Sequence, residues 1–212
     1  MNVGSLPDPA EPPDPRLGHA LLRRLAAAIA EHPGAPAADD GSPARAAVAL
    51  ALRPAVDGVE LLLIRRAERS GDPWSGQIAL PGGRWSPNDD SMLHTALRET
   101  WEETGIDLAA SGLVLGTLDE LRPRTTVLPA IIVTPVVVVI DSPTTLALSD
   151  EVADAFWISL DTLRDPERSR ESSVQVRGDT WRVPSIVLGE HVVWGMTERI
   201  LRQLLSRLGD MP

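Results

Sequence analysis

Cysteine, lysine and tyrosine are all absent from this chain of 212 residues, and phenylalanine occurs once. The lack of cysteine excludes disulfides and thiolate metal sites, so any bound metal must use oxygen or imidazole ligands. All 20 basic residues are arginine, which excludes a lysine nucleophile, a Schiff base and the lysine of a phosphate-binding P-loop. The available chemistry therefore depends on carboxylates, arginines and four histidines.

Positive charge and long apolar runs are also scarce. The net charge of -10 argues against a nucleic-acid partner, because phosphates are repelled, but a small anionic substrate is compatible if a bound cation screens it. The most apolar stretch, residues 127–140, is interrupted by Pro129 and Pro135, so we expect no membrane partner. The first 16 residues have neither a basic start nor an apolar core of a signal peptide, which favours a cytoplasmic location.

The order of sequence patterns predicts one folded domain with an N-terminal extension. Residues 1–15 are rich in proline and acidic residues and are predicted to be disordered, residues 16–43 to form a helix and a linker, and residues 44–208 to form the main domain. Alternating and apolar runs predict strands at 44–52, 59–64, 77–80, 112–118, 131–140 and 155–158, with a further pair in 173–183. Helical spacing predicts helices at 16–32, 91–104 and 194–208. Strands mixed with a few helices, without regular alternation, indicate an α+β or mixed α/β sandwich.

Three carboxylates in the second predicted helix are the most informative feature of the sequence. Glu99, Glu102 and Glu103 are spaced i, i+3 and i, i+4, which brings them close together on a helix surface. Like charges at these spacings repel, and a cation would relieve the repulsion. Mg²⁺ or Mn²⁺ suits such a site best, because both prefer carboxylate oxygen and water. Arg98 can pair with a neighbouring carboxylate, and a glycine-rich segment at Gly82–Gly83 precedes the helix.

This arrangement resembles the Nudix box, G-x5-E-x7-R-E-U-x-E-E-x-G-U, in which U is aliphatic. Arg98, Glu99, Glu102, Glu103, Gly105 and Ile106 match its second half in register. The first half departs from the pattern: five residues separate Gly83 from Asp89, which stands where the family has Glu, and eight residues, not seven, separate Asp89 from Arg98. Asp90 has the expected spacing to Arg98, so either aspartate can take the position of the family glutamate. Thr100 replaces the aliphatic residue.

Segments outside the box resemble the coenzyme A diphosphatase branch of the Nudix superfamily. They are Leu61–Ile64, Ser75–Gly83, Thr134–Val137, Asp150–Ala153 and Trp194–Thr197. This branch also tends to carry an aspartate with the longer spacing. The resemblance therefore extends from about Ala44 to Leu208, whereas the segment Glu68–Trp74 departs from the branch pattern.

The resemblance implies an α/β/α sandwich with a mixed sheet, in which the box forms a loop, a helix and a loop. It implies a metal-dependent hydrolase that attacks a diphosphate linkage with water, most simply that of coenzyme A or acyl-coenzyme A. Another nucleotide, such as ADP-ribose, an NADH-like dinucleotide or an oxidised nucleoside triphosphate, is the alternative, followed by a non-catalytic Nudix-fold module. Either a monomer or a homodimer is compatible with the sequence.

Site residues follow from the same resemblance. It makes Glu99, Glu102 and Glu103 the metal ligands and, with Arg98, the catalytic set. The general base is left open among Glu102, Glu103 and Glu151. We expect substrate contacts from the glycine segment and from three arginines suited to binding phosphate: Gly82, Gly83, Arg65, Arg66 and Arg69.

Overall fold

The structure is a computed structural model that describes residues 14–38, 44–69, 74–123, 130–141, 145–176 and 178–209. Its helices are α1 (Ala20–Glu31), α2 (Met92–Thr104), α3 (Leu108–Ser111), α4 (Leu160–Arg164) and α5 (Gly195–Leu208). Its strands are β1 (Ala44–Ala55), β2 (Gly58–Arg66), β3 (Ile78–Ala79), β4 (Gly82–Arg84), β5 (Leu113–Thr117), β6 (Ile131–Val139), β7 (Val152–Ser159), β8 (Ser169–Val176), β9 (Asp179–Leu188) and β10 (His191–Trp194).

The central sheet is built around a hairpin whose two strands separate. Near the turn, β1 pairs with β2 directly, from Leu52↔Leu61 to Ala55↔Gly58. Further along, the segment from β3 to β4 is inserted between them: β3 pairs with β2, and β4 pairs with β1. On the edge of β1 that faces away from β2, β1 pairs with β6 in parallel, and β6 pairs with β5. On the edge of β2 that faces away from β1, β2 pairs with β7. The inserted segment therefore brings the glycines into the middle of the sheet.

Helices cover both faces of this mixed sheet. On one face, Ala96 of α2 and Leu108 of α3 pack against alternate small residues of β1, such as Ala47 and Ala49. On the other face, the buried residues of α1, α4 and α5 form a larger core with the leucines of β1 and β2. This core also receives residues of the small antiparallel sheet β8–β9–β10, including Ile186 and Val193. The arrangement confirms the predicted mixed-sheet sandwich.

Most predicted elements are present, but the glycine segment differs from the expectation. The predicted strands left out the glycine-rich segment Gly82–Gly83, whereas both glycines belong to β4 and pair with Val48 and Ala47. Glycine has little intrinsic preference for strands, so the pairing follows from the gap that opens between β1 and β2. Three short elements of only four or five residues were not predicted: β10, α3 and α4.

Two predictions concern residues that the structure does not describe in full. The predicted tail at 1–15 falls outside the described residues except for Asp14, which caps a short 3₁₀ helix at Pro15–Leu17, and Pro15 itself. The divergent segment Glu68–Trp74 is described only at its ends. Among the described residues, no helix is both long and apolar enough to cross a membrane. The cellular location stays a prediction.

Candidate active site

The helix that carries the carboxylates has well-defined ends. The Ser91 side chain accepts a hydrogen bond from the His94 amide at 3.1 Å, and Gly105 ends α2 in a left-handed conformation. Thr100, which occupies the aliphatic position of the resemblance, is fully buried, and its hydroxyl donates to the Ala96 carbonyl at 2.7 Å. A buried threonine is acceptable there because its hydroxyl has a partner within the helix.

Asp89, and not Asp90, is the aspartate that pairs with Arg98. Its side chain is 1% exposed and accepts two hydrogen bonds from the guanidinium, at 2.8 Å from Nε and 2.9 Å from Nη2. It also accepts bonds from the Ser86 amide and the Thr95 hydroxyl. These hydrogen bonds, above all those from Arg98, hold the pKa of the Asp89 carboxyl well below its usual range. Asp89 thus anchors the loop before α2 to the helix.

Arg98 connects this anchor to two of the predicted metal ligands. Its Nη2 donates to Glu99 at 2.9 Å, and its Nη1 donates to Glu102 at 3.0 Å. Nη2 also lies 3.2 Å from the Arg84 carbonyl of β4. One buried aspartate therefore fixes the guanidinium, and the guanidinium in turn restrains the side chains of Glu99 and Glu102.

Glu103 is the most buried of the three glutamates, with 3% of its surface exposed. Its carboxylate accepts a hydrogen bond from the Gly82 amide at 2.8 Å. Burial raises the pKa of Glu103 to about 7; the Gly82 hydrogen bond and the charge of Arg66 oppose this rise, and the charges of Glu99 and Glu151 add to it. Burial also raises the pKa of Glu99. Both carboxylates therefore lie where a positive charge would stabilise their ionised forms.

The glycines of β4 allow the carboxylates to approach the backbone. A Cβ atom added to Gly83 would collide with the Glu99 carboxylate. Gly82 has φ +150°, and an added Cβ there would collide with the backbone of Ala47 and Val48. A side chain at Gly82 would displace the backbone of β1, and one at Gly83 would displace the Glu99 carboxylate from its position, so this segment favours glycine.

Glu99 and Glu103 line a cleft with a volume of about 460 Å³. The glycine segment, Arg66, Arg84 and Glu151 contribute to the same lining. The remaining walls are largely apolar and come from β1, β6, the segment before β4 and the start of α5. A volume in this range suits a small-molecule ligand, for which pockets of about 300–1,000 Å³ are usual.

The carboxylates fit a divalent cation in chemistry, although they do not form a compact cluster. Within the described parts of the chain, no group of three histidine, aspartate or glutamate side chains is arranged to hold a metal ion. Arg98 is the physical reason, since it draws Glu99 and Glu102 into ion pairs of its own. Glu103, however, is a buried carboxylate whose ionisation is opposed by burial and by two neighbouring acids, and a hard cation would compensate it.

Comparison with known proteins bears on these features. The family model of the NUDIX domain matches residues 43–176, more than half of the chain. The chain belongs to the Nudix family. It is 30% identical to the mitochondrial coenzyme A diphosphatase NUDT8 of Mus musculus, over 96% of this chain and 91% of that protein. It is 36% identical to an uncharacterized Nudix hydrolase, NudL of Citrobacter koseri, over 72% of this chain and 77% of that protein.

Solved structures agree with the Nudix fold. A MutT/nudix family protein from Enterococcus faecalis superimposes with a TM-score of 0.53 and 20% identity, covering 81% of this chain and 64% of that one. The family match, the Nudix relatives and the three box glutamates make the chain a Nudix hydrolase, an enzyme that cleaves a diphosphate linkage.

Only some of the predicted site residues of this Nudix domain meet in the cleft. Gly82, Gly83, Glu99, Glu103 and Arg66 line it. Four other predicted residues do not: Arg65, Arg69, Arg98 and Glu102. Glu102 has a side chain that is 49% exposed and is paired with Arg98, whereas Arg69 reaches the cleft only indirectly, through an ion pair of 3.0 Å with Glu151.

Several cleft residues were not predicted as part of the site. They are Trp74, Arg84, Trp194, Met196 and Thr197, together with the aliphatic residues of β1 and β6. No local pattern identifies such residues, because they come from five separate segments that only the fold brings together.

Proposed function

We propose that this Nudix hydrolase cleaves the diphosphate of coenzyme A or its thioesters, giving 4′-phosphopantetheine or its acyl form and adenosine 3′,5′-bisphosphate. The observation that carries the proposal is that the buried Glu103 and the partly buried Glu99 line one cleft, which is large enough for one half of such a substrate. Similarity to a coenzyme A diphosphatase over 96% of the chain supports this substrate over other nucleotides.

The residues that would hold a divalent cation, Mg²⁺ or Mn²⁺, are Glu99 and Glu103, with Glu102 as the third predicted ligand. When bound, such a cation neutralises diphosphate charge and lowers the pKa of a coordinated water. Arg98 restrains Glu99 and Glu102, and the Gly82 amide orients Glu103. Arg66 and Arg84 supply positive charge in the lining, where a phosphate oxygen can accept their hydrogen bonds.

The reaction needs a base to take a proton from the attacking water. Water adds to one phosphorus, the bond from that phosphorus to the bridging oxygen breaks, and the bridging oxygen leaves with the other phosphate. Of the three candidates, Glu102 does not line the cleft, and Glu103 is engaged with Gly82. Glu151 lines the cleft, and its side chain is 54% exposed. We therefore propose Glu151 as the general base, oriented by Arg69.

Substitution Glu151→Gln is expected to lower kcat about 100-fold with little change in KM, because general-base catalysis contributes about that factor. Steady-state kinetics on the preferred substrate measure both constants. Glu167→Gln is the matched control, since Glu167 is exposed and lies away from the cleft. If Glu151→Gln retains the kcat of the unchanged enzyme, the base lies elsewhere.

The substrate itself is tested by a panel of coenzyme A, an acyl-coenzyme A, ADP-ribose, NADH and 8-oxo-dGTP, each with Mg²⁺ or Mn²⁺ and with products identified by mass. We expect kcat/KM for coenzyme A or its thioester to exceed that for every other member by about tenfold or more, a difference of 1.4 kcal/mol in transition-state binding. Turnover of coenzyme A no faster than that of the other nucleotides would refute this substrate and leave the diphosphate chemistry intact.

A further inference from the structure

The apolar part of the cleft is built from one face of the sheet and from the start of α5. Ala46 and Val48 alternate along β1, and Ile131 and Val133 alternate along β6, with Ala46 opposite Val133 in the pairing. Alternate residues point to the same side of a sheet, so these four side chains form one continuous surface. Trp194 and Met196 add to the same lining. We call these six residues the apolar wall.

The apolar wall and the carboxylates belong to opposite faces of the sheet. Val48, Ile131, Val133 and Met196 belong to the core on the side of α1 and α5, whereas Glu99 and Glu103 come from α2 on the other side. The two groups line one cleft because the segment between them, Gly82–Gly83, has no side chains. A diphosphate at the carboxylates therefore has one of its two arms directed towards the apolar wall.

The character of the wall decides which arm fits there. None of its six residues is charged, and the charged residues of the cleft all lie outside the wall: Arg66, Arg84, Glu99, Glu103 and Glu151. Moving a phosphate monoester from water onto such a surface is unfavourable, because nothing replaces its hydration. A neutral, largely aliphatic arm instead gains from removing apolar surface from water. The flexible thioether of Met196 can adapt to arms of different shape.

We propose that the apolar wall is a subsite for the uncharged arm of the substrate, and that it selects diphosphates with such an arm. For coenzyme A, this arm is the pantetheine chain, and the adenosine 3′-phosphate lies outside the wall. The inference rests on the proposed function and adds the orientation of the substrate in the cleft, with the pantetheine arm towards the apolar wall. Substrates with a polyhydroxylated or charged group on both sides of the diphosphate lose this contact.

The two products of coenzyme A cleavage test this orientation, since 4′-phosphopantetheine carries one arm of the substrate and adenosine 3′,5′-bisphosphate carries the other. We compare product inhibition in the unchanged enzyme with that in Trp194→Ala and Met196→Gln. Both substitutions are expected to weaken inhibition by 4′-phosphopantetheine about tenfold, the loss that corresponds to one buried apolar contact. Inhibition by adenosine 3′,5′-bisphosphate should change less than twofold, since that product carries the arm that lies outside the wall. Trp181→Ala in β9 is the matched tryptophan control.

The outcomes distinguish an error in the substrate orientation from an error in the proposed substrate. Weaker inhibition by adenosine 3′,5′-bisphosphate, with unchanged inhibition by 4′-phosphopantetheine, would overturn the inference by reversing the direction, and so would unchanged inhibition by both products. Failure of the unchanged enzyme to cleave coenzyme A would instead overturn the proposed function. If Trp194→Ala does not fold, Met196→Gln still tests the inference, because Met196 is only partly buried and glutamine is similar in size to methionine.

Discussion

Glu103→Gln is expected to lower kcat about 100-fold or more, which corresponds to the loss of several kcal/mol of transition-state stabilisation by a displaced cation. Glutamine preserves the size of the side chain and can still accept a hydrogen bond from the Gly82 amide. It cannot supply the negative charge that a divalent cation requires. Steady-state kinetics with Mg²⁺ or Mn²⁺ measure the effect, and Glu190→Gln, at an exposed position, serves as the control.

Stability measurements separate this effect from unfolding. The pKa of Glu103 is about 7 in the folded protein, above the value of about 4.3 for an unfolded chain. The folded state therefore binds more protons between these values, and stability due to this group falls as the pH rises through that window. With a chelator present, Glu103→Gln lacks this decline and should be no less stable at pH 8. A folded Glu102→Gln/Glu103→Gln double variant with unchanged kcat would contradict the metal assignment.

Arg98→Ala is expected to lower the free energy of unfolding by about 3 kcal/mol at pH 7, because it leaves the Asp89 carboxylate buried without its cation. The pH dependence of this stabilisation follows from the lowered pKa of Asp89. The stabilisation is fully present above the unfolded pKa of about 4 and is lost as the pH falls towards the folded value. The difference between the two proteins should therefore shrink at acidic pH, where Asp89 becomes neutral.

Urea denaturation at several pH values measures this difference. Arg182→Ala is the matched control: Arg182 pairs with Glu171, and the two side chains are 76% and 61% exposed. The control should lose less than about 1 kcal/mol, as is usual for exposed ion pairs. An Arg98→Ala variant as stable as the control at pH 7 would show that Asp89 does not depend on the guanidinium.

The sequence was most informative where function depends on local spacing. Six residues of the box, their helix and its two ends could all be predicted, because capping and i, i+4 spacing act over a single turn. The choice between Asp89 and Asp90 could not be made in this way. It depends on how the loop before α2 folds back onto Arg98, and the extra residue in the spacing is accommodated within that loop.

Contacts between distant segments could not be predicted. The position of β4 depends on where β1 and β2 separate, and the apolar wall combines β1, β6 and the start of α5. Among Arg65, Arg66 and Arg69, only Arg66 lines the cleft, a distinction that a run of arginines does not reveal. The pairing of β2 with β7 is irregular between Arg65 and Arg66, so the alternation of side chains along β2 does not predict which arginine faces the cleft.

We expect Glu103, together with Glu99, to bind a divalent cation, and Mn²⁺ titration followed by electron paramagnetic resonance tests this without any substrate. We expect the unchanged enzyme to bind Mn²⁺ and Glu103→Gln to bind it about tenfold or more weakly, since one charged ligand is lost. Glu190→Gln should bind as the unchanged enzyme does. Equal Mn²⁺ affinity in Glu103→Gln and the unchanged enzyme would contradict the account.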